Sequence, residues 1–236
     1  GRVTELAHLH GAPVLWDLSH SVGSVPVSLK NAHADMAIGC TYKYLNGGPG
    51  APAFLYVRKD LQEELENPIQ GWFGEMNPFE FKMTYRKAPG IRKFMTGTPP
   101  VVSLSGLEPS LDMILEAGVS RLREKSVAQS EYLISLSREW LSDAGFRLGS
   151  PGQPDKRGSH VTLKHVEAYR ICKALIDKEV GQRSVIPDFR EPNNIRLGIT
   201  PLYTSFEEIY LAMAKLRLII EKKWYEKYPR TRDTVT

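Results

Sequence analysis

Two short stretches hold the residue types best suited to chemistry. "CTYKYLNGGPG" (40–50) sets Lys43 between Tyr42 and Tyr44 and follows it with three glycines in four positions. "VLWDLSH" (14–20) carries Asp17 and, three residues on, His20. A lysine amine is a nucleophile only when neutral, and a partly desolvated, aromatic-lined site favours the neutral form. Lys43 follows "DMAIGCT" (35–41), which reads as a strand. Strand ends of α/β sheets present side chains to a ligand crevice, and glycines let backbone approach an anion closely. These are the features of a Schiff-base lysine beside a phosphate. Taken singly they have ordinary readings too: a snorkelling surface lysine and a plain turn.

Asp17 narrows the choice. If strands 14–17 and 35–41 are neighbours, about 4.8 Å apart, Asp17 and Lys43 emerge at the same sheet edge, with room for a pyridine ring between them. Pyridoxal 5'-phosphate asks for such a pair: a lysine for its aldehyde and a carboxylate that keeps its ring nitrogen protonated. Alone, Asp17 also suits an N-cap for "LSHSVG", and His20 a packed histidine.

Other chemistries lack their motifs. The chain has no P-loop, no G-x-G-x-x-G, no H-E-x-x-H and no G-x-S-x-G. Its six histidines lack the paired cysteine or carboxylate spacing of a metal site, so no metal is expected. Two cysteines, Cys40 and Cys172, cannot build a disulfide framework and fit a reducing compartment, here read as the cytoplasm.

The elements that must position these residues fall in two parts. "RVTELAHLH" reads as the end of a helix stopped by Gly11 and Pro13, followed by strands at 14–17, 35–41 and 52–58, the last two as nearly unbroken buried runs. An opening helix, loop and strand are expected to begin partway through a domain, with an upstream portion missing. Residues 60–67 form a short helix, and 68–100 are an aromatic-rich loop region too long to be idle. Three- and four-residue apolar spacing predicts helix from 103 to 143, interrupted at Gly118. Beyond Gly145 come short strands ("FRLGS", "HVTLKH", "RSVIPDF", "NNIRLGIT"), a helix at about 166–179 and a last helix opened by a capping box of Ser205 and Glu208. The tail beyond Tyr228 is polar and expected to fray. The resulting division is 1–102, a partial large domain; 103–143, a linking helical region; and 144–236, an α+β small domain.

With 42% hydrophobic and 25% charged residues the composition is that of a globular chain. No apolar run approaches the roughly 18–20 residues of a membrane span, so no membrane partner is expected. The net charge of +4 is mild, with Lys and Arg scattered among acidic residues. That pattern suits a solvated face or an anionic small molecule better than nucleic acid.

Taken together, "LWDLSHSVG", "CTYKYLNGGPGAPAF", "GWFG", "GTPPVVSLSGLEPSLDM" and "NNIRLGITPLY" resemble kynureninase. The resemblance runs over nearly all of these residues and covers the later half of the family's large domain plus its small domain. It implies the α/β fold-type I architecture of pyridoxal-phosphate enzymes (class V aminotransferase group), with a mainly parallel sheet, and a C-terminal α+β domain. It further implies Lys43 as the lysine bound to the cofactor aldehyde, Asp17 as the partner of the pyridine nitrogen and His20 as a nearby contact. Tyr42 matches a phosphate-binding tyrosine implicated in proton transfer. Trp72 and Thr98 match further cofactor contacts, and Arg196 matches the arginine that clamps the substrate α-carboxylate. Without the resemblance, Tyr42 and Trp72 read as core aromatics, Thr98 as a loop cap and Arg196 as a surface ion pair.

The implied reaction is hydrolysis of the Cβ–Cγ bond of kynurenine or 3-hydroxykynurenine to anthranilate or 3-hydroxyanthranilate and L-alanine, in tryptophan catabolism and NAD biosynthesis. A homodimer with shared sites is the implied assembly. The family's phosphate-cupping loop, ring-stacking aromatic and second aspartate have no counterpart here, so these residues alone are expected to be inactive. Two alternatives stand beside this reading: a cysteine desulfurase-like class V enzyme, which needs a catalytic cysteine on a mobile loop, and a truncated non-catalytic module.

Overall fold

The structure, a computed structural model, describes residues 1–231; the last five positions, which belong to the tail expected to fray, lie outside the described residues. The chain divides into two units, Gly1–Glu116 and Ala117–Thr236. The division falls inside the stretch read as one helical region. There Gly118, at φ 79°, separates helix α3 (Val101–Ala117) from α4 (Val119–Leu141).

In the first unit, α1 (Arg2–Leu9) leads through Gly11, at φ 69°, to strand β1 (Leu15–Asp17). β1 pairs in parallel with β2 (Met36–Cys40), which pairs antiparallel with β3 (Ala53–Val57). The three-stranded sheet is thus mixed, where a mainly parallel one was expected. β2 and β3 are also not the doubly buried runs that their sequences suggest. Ala37 is fully buried on one face, but Ile38 and Leu55, paired on the other, are 39% and 40% exposed beside Leu15 at 53%. An unbroken apolar run does not reveal that only one face is covered. The buried carboxylate of Asp35 ties the start of this unit together. It accepts from the Val14 backbone at 2.8 Å and pairs with His8 at 2.7 Å and Arg58 at 2.6 Å. A short helix α2 (Leu61–Glu64) follows, and the aromatic-rich region beyond it holds 3-10 turns at Trp72–Gly74, Pro78–Glu80 and Gly90–Phe94.

The second unit is α+β. Strands β4 (Arg147–Leu148), β5 (His160–Lys164), β6 (Asp188–Arg190) and β7 (Asn194–Gly198) form an antiparallel sheet in the order β4-β5-β7-β6. Alternation places Val161, Leu163, Ile195 and Leu197 inside. Helix α5 (Ala168–Ile176) adds Ile171 and Leu175, and α6 (Phe206–Glu221) adds Ile209, Met213, Leu216 and Ile219, at helical spacing. Each such fully buried side chain stabilises the unit by roughly 1.5–3 kcal/mol of transfer energy. The capping box opens α6 as expected: Ser205 Oγ accepts from Glu208 N at 3.0 Å, and Glu208 Oε2 accepts from Ser205 N at 2.7 Å. Among the described residues no helix is long and apolar enough to cross a membrane.

Candidate active site

The end of the β1–β2 pair builds the site. Asp17 closes β1 opposite Ile38. The chain leaving it stays bonded to β2, with Leu18 N donating to Ile38 O at 2.8 Å and Cys40 N to Ser19 Oγ at 3.4 Å. The segment after β2 is equally fixed. Buried Thr41 donates from Oγ1 to Pro52 O at 2.5 Å, and Gly47 N returns to Thr41 O at 2.9 Å. Asn46 N closes a turn on Lys43 O at 3.0 Å, while Ser110 Oγ from α3 holds Asn46 O at 2.9 Å. Lys43 is therefore presented, half-buried, from a turn with a pinned backbone. Its Nζ lies 5.4 Å from the centroid of the Tyr42 ring, which is itself 52% exposed and not a core aromatic.

Asp17 is exposed, and its carboxyl sits below the usual carboxylate value of 3.8. The main cause is the hydroxyl and backbone N–H of Ser19, the latter at 2.8 Å from Oδ1; the positive charges of Lys43 and then His20 add to it. The structure thus brings Asp17, His20 and Lys43 into one electrostatic neighbourhood, with Tyr42 against the lysine. Asp17 caps no α-helix; it closes a two-residue turn on Ser19 instead.

The other candidates are carried by other segments of the chain. Trp72, 43% exposed, packs edge-on against Phe73 and Phe79 at ring-centroid distances of 4.6 and 5.6 Å. Thr98 is exposed on the segment leading into α3. The "GWFG" and "TGTPP" stretches are joined backbone to backbone, because Gly71 sits against the Thr96 carbonyl where no Cβ would fit. Arg196 belongs to the second unit, on β7. It is half-buried and ion-paired through Nη2 with Asp188, its register partner on β6. Asp188, which the sequence reading missed, also holds Arg190 at 2.9 Å. Its place opposite Arg196 depends on a strand register that no local motif encodes.

The residues present fit pyridoxal phosphate. The half-buried amine and the ionised carboxylate that such a ring needs at its two ends share one sheet edge, and the carboxylate already feels the amine's charge. They do not fit a desulfurase thiol. Cys40 lies within β2, its Sγ on Ser19 O at 3.7 Å, and Cys172 is buried in α5 with its thiol pushed up to about 12 by desolvation.

Residues 122–216 match the family model of the kynureninase C-terminal domain. The chain is 42% identical over 235 residues to the kynureninase of Pseudomonas fluorescens, covering 99% of this chain and 55% of that protein. It thus spans about half the length of the curated relatives it matches. Among solved structures, a cysteine desulfurase from Thermococcus onnurineus superposes with a TM-score of 0.75 at 19% identity, over 93% of this chain and 55% of that one. A C-DES variant with glycine covalently linked to its pyridoxal-phosphate cofactor gives 0.68 at 17% identity, over 84% and 49%. At such identities the structural likeness speaks for the fold alone, that of the fold-type I pyridoxal-phosphate enzymes. The chain is therefore similar to the kynureninase C-terminal domain across residues 122–216, and similar in sequence to the kynureninases over its whole length.

Proposed function

We propose that this chain is the lysine-bearing part of a kynureninase, a cytoplasmic, homodimeric hydrolase that splits the Cβ–Cγ bond of kynurenine or 3-hydroxykynurenine with pyridoxal phosphate. The observation that carries the reading is the shared neighbourhood of Asp17 and Lys43 at the end of β1 and β2. Bound there, the cofactor would supply an electron sink for the carbanion formed at the substrate α-carbon.

Each residue then has a task its chemistry suits. Lys43 would hold the cofactor aldehyde and, once displaced by the substrate amine, take the α-proton as general base. Asp17, kept ionised by Ser19, would hold a proton on the pyridine nitrogen. His20 would flank that ring, and Trp72 and Thr98 would add contacts to the cofactor. Tyr42, exposed beside Lys43, would bind phosphate and pass a proton as water adds at the γ-carbonyl. Arg196 would take the α-carboxylate in its planar fork, exchanging Asp188 for the substrate. Water supplies the oxygen of the anthranilate carboxylate, and the remaining three carbons leave as alanine.

Incubation of the whole kynureninase that carries these residues with pyridoxal phosphate and kynurenine should release anthranilate and alanine in equal amounts, and its Lys43→Ala variant should release neither. Persulfide formed from cysteine, with no anthranilate, would replace this reading by the desulfurase one.

A further inference from the structure

The first unit holds a cavity of about 610 Å³ between residues 66–70 and 85–93. Lys93 lines it, only 2% exposed, and its Nζ has no hydrogen-bond partner among the described residues. The centroid of the Phe94 ring lies 5.6 Å from that nitrogen. A buried ammonium is costly to leave unpaired, and an orphan of this kind calls for an ion or ligand that completes it.

The neighbouring charges are already committed. Glu66 pairs with Lys87, and Arg86 with Glu80 at 2.8 Å and Glu75 at 3.4 Å. Of the charged residues lining the cavity, three are cationic (Arg86, Lys87, Lys93) and one anionic (Glu66), a surplus of 3 − 1 = 2 positive charges. Arg86 is ion-paired from outside the lining set by Glu75 and Glu80, although its Nε makes no hydrogen bond, and Lys93 acts on Glu66 only through its charge. Lys93 is thus the lining cation with no ion pair among the described residues, which suits a monoanion. Asn67 Nδ2 fixes the Lys93 backbone by donating to its carbonyl at 3.1 Å. Tyr85 and Met76 supply apolar wall. The volume falls in the range that takes a small organic molecule.

We propose that this cavity is a second binding site, separate from the Asp17–Lys43 pair, for a small monocarboxylate with an apolar or aromatic body. The carboxylate pairs with Lys93 while the body lies along Tyr85 and Met76. Nothing in this depends on the reaction proposed above.

Isothermal calorimetry and thermal unfolding at fixed ionic strength test it, with benzoate as probe and benzamide as its neutral isostere. Benzoate should bind saturably and raise the unfolding temperature, and benzamide should do neither. Lys93→Met should weaken benzoate roughly tenfold or more, whereas Arg196→Gln should leave it unchanged. Equal behaviour of benzoate and benzamide with the unsubstituted protein overturns the proposal, and that comparison stands even if Lys93→Met fails to fold. Benzoate binding that survives Lys93→Met, or is lost instead in Arg196→Gln, overturns it as well.

Discussion

Gly23 lies against the carbonyl of Tyr44 so closely that a Cβ added to it would stand 2.7 Å from that oxygen. The contact joins the loop after Asp17 to the turn that carries Lys43, so the two candidate groups are braced against each other through backbone. Gly23 also sits at φ 78°, in the left-handed region that favours glycine. Gly23→Ala should therefore cost at least about 1–2 kcal/mol in backbone strain and push the Lys43 turn away. Because small misplacement of a catalytic group lowers rate steeply, activity should fall by about 100-fold. Urea titration and steady-state kinetics check the two parts. Unchanged activity in a stably folded Gly23→Ala protein would show that the brace does not position Lys43.

Cys172 should behave as a core residue. Burial, and secondarily the charge of Asp188, push its thiol up to about 12. An alkylating reagent at neutral pH should leave it unmodified until denaturant is added, as peptide mass spectrometry can follow. Rapid alkylation in the native protein would reopen the desulfurase alternative.

The second unit should lose stability in mild acid. His165 is buried and stacked on Phe146 at a centroid distance of 4.5 Å. Its Nδ1 accepts from Glu167 N at 3.0 Å, so its Nε2 donates to Ala144 O at 3.1 Å, which requires the neutral ring. Desolvation lowers its pKa from the ordinary 6.5. The unfolded chain then binds the proton more readily than the folded one. The contribution of His165 is whole above the ordinary value and is lost as pH falls below it toward the lowered one. Stability measured between about pH 7 and pH 5 should decline in the unsubstituted protein and more shallowly in His165→Gln. Identical slopes would contradict this assignment.

Much of the fold was legible because its signals are local. The apolar spacing along α4 and α6, the Ser205–Glu208 capping box and the break at Gly118 each need only a few neighbouring residues. What stayed hidden depends on pairing over distance. The five residues of β3 do not encode the direction in which they meet β2, nor that Leu55 and Ile38 share an uncovered face. Lys215 shows the same limit. It reads as an ordinary polar helix residue, yet it is buried, and its Nζ donates to the carbonyls of Leu175, Asp177 and Arg183. At the candidate site, Asp17 and Lys43 could be read as a candidate pair from residue type and strand ends, and His20 from the resemblance alone. The roles of Ser19 and Asp188 could not, since each follows from a turn or register seen only in three dimensions.

The pairing of Asp17 with Lys43 around one small ring is tested most directly by borohydride reduction in the presence of pyridoxal phosphate, followed by peptide mass spectrometry. A single pyridoxyl group should appear on Lys43, and Asp17→Asn should weaken the labelling by weakening the hold on the ring. Label on another lysine, with Lys43 unmodified in a protein that still releases anthranilate, would contradict the account.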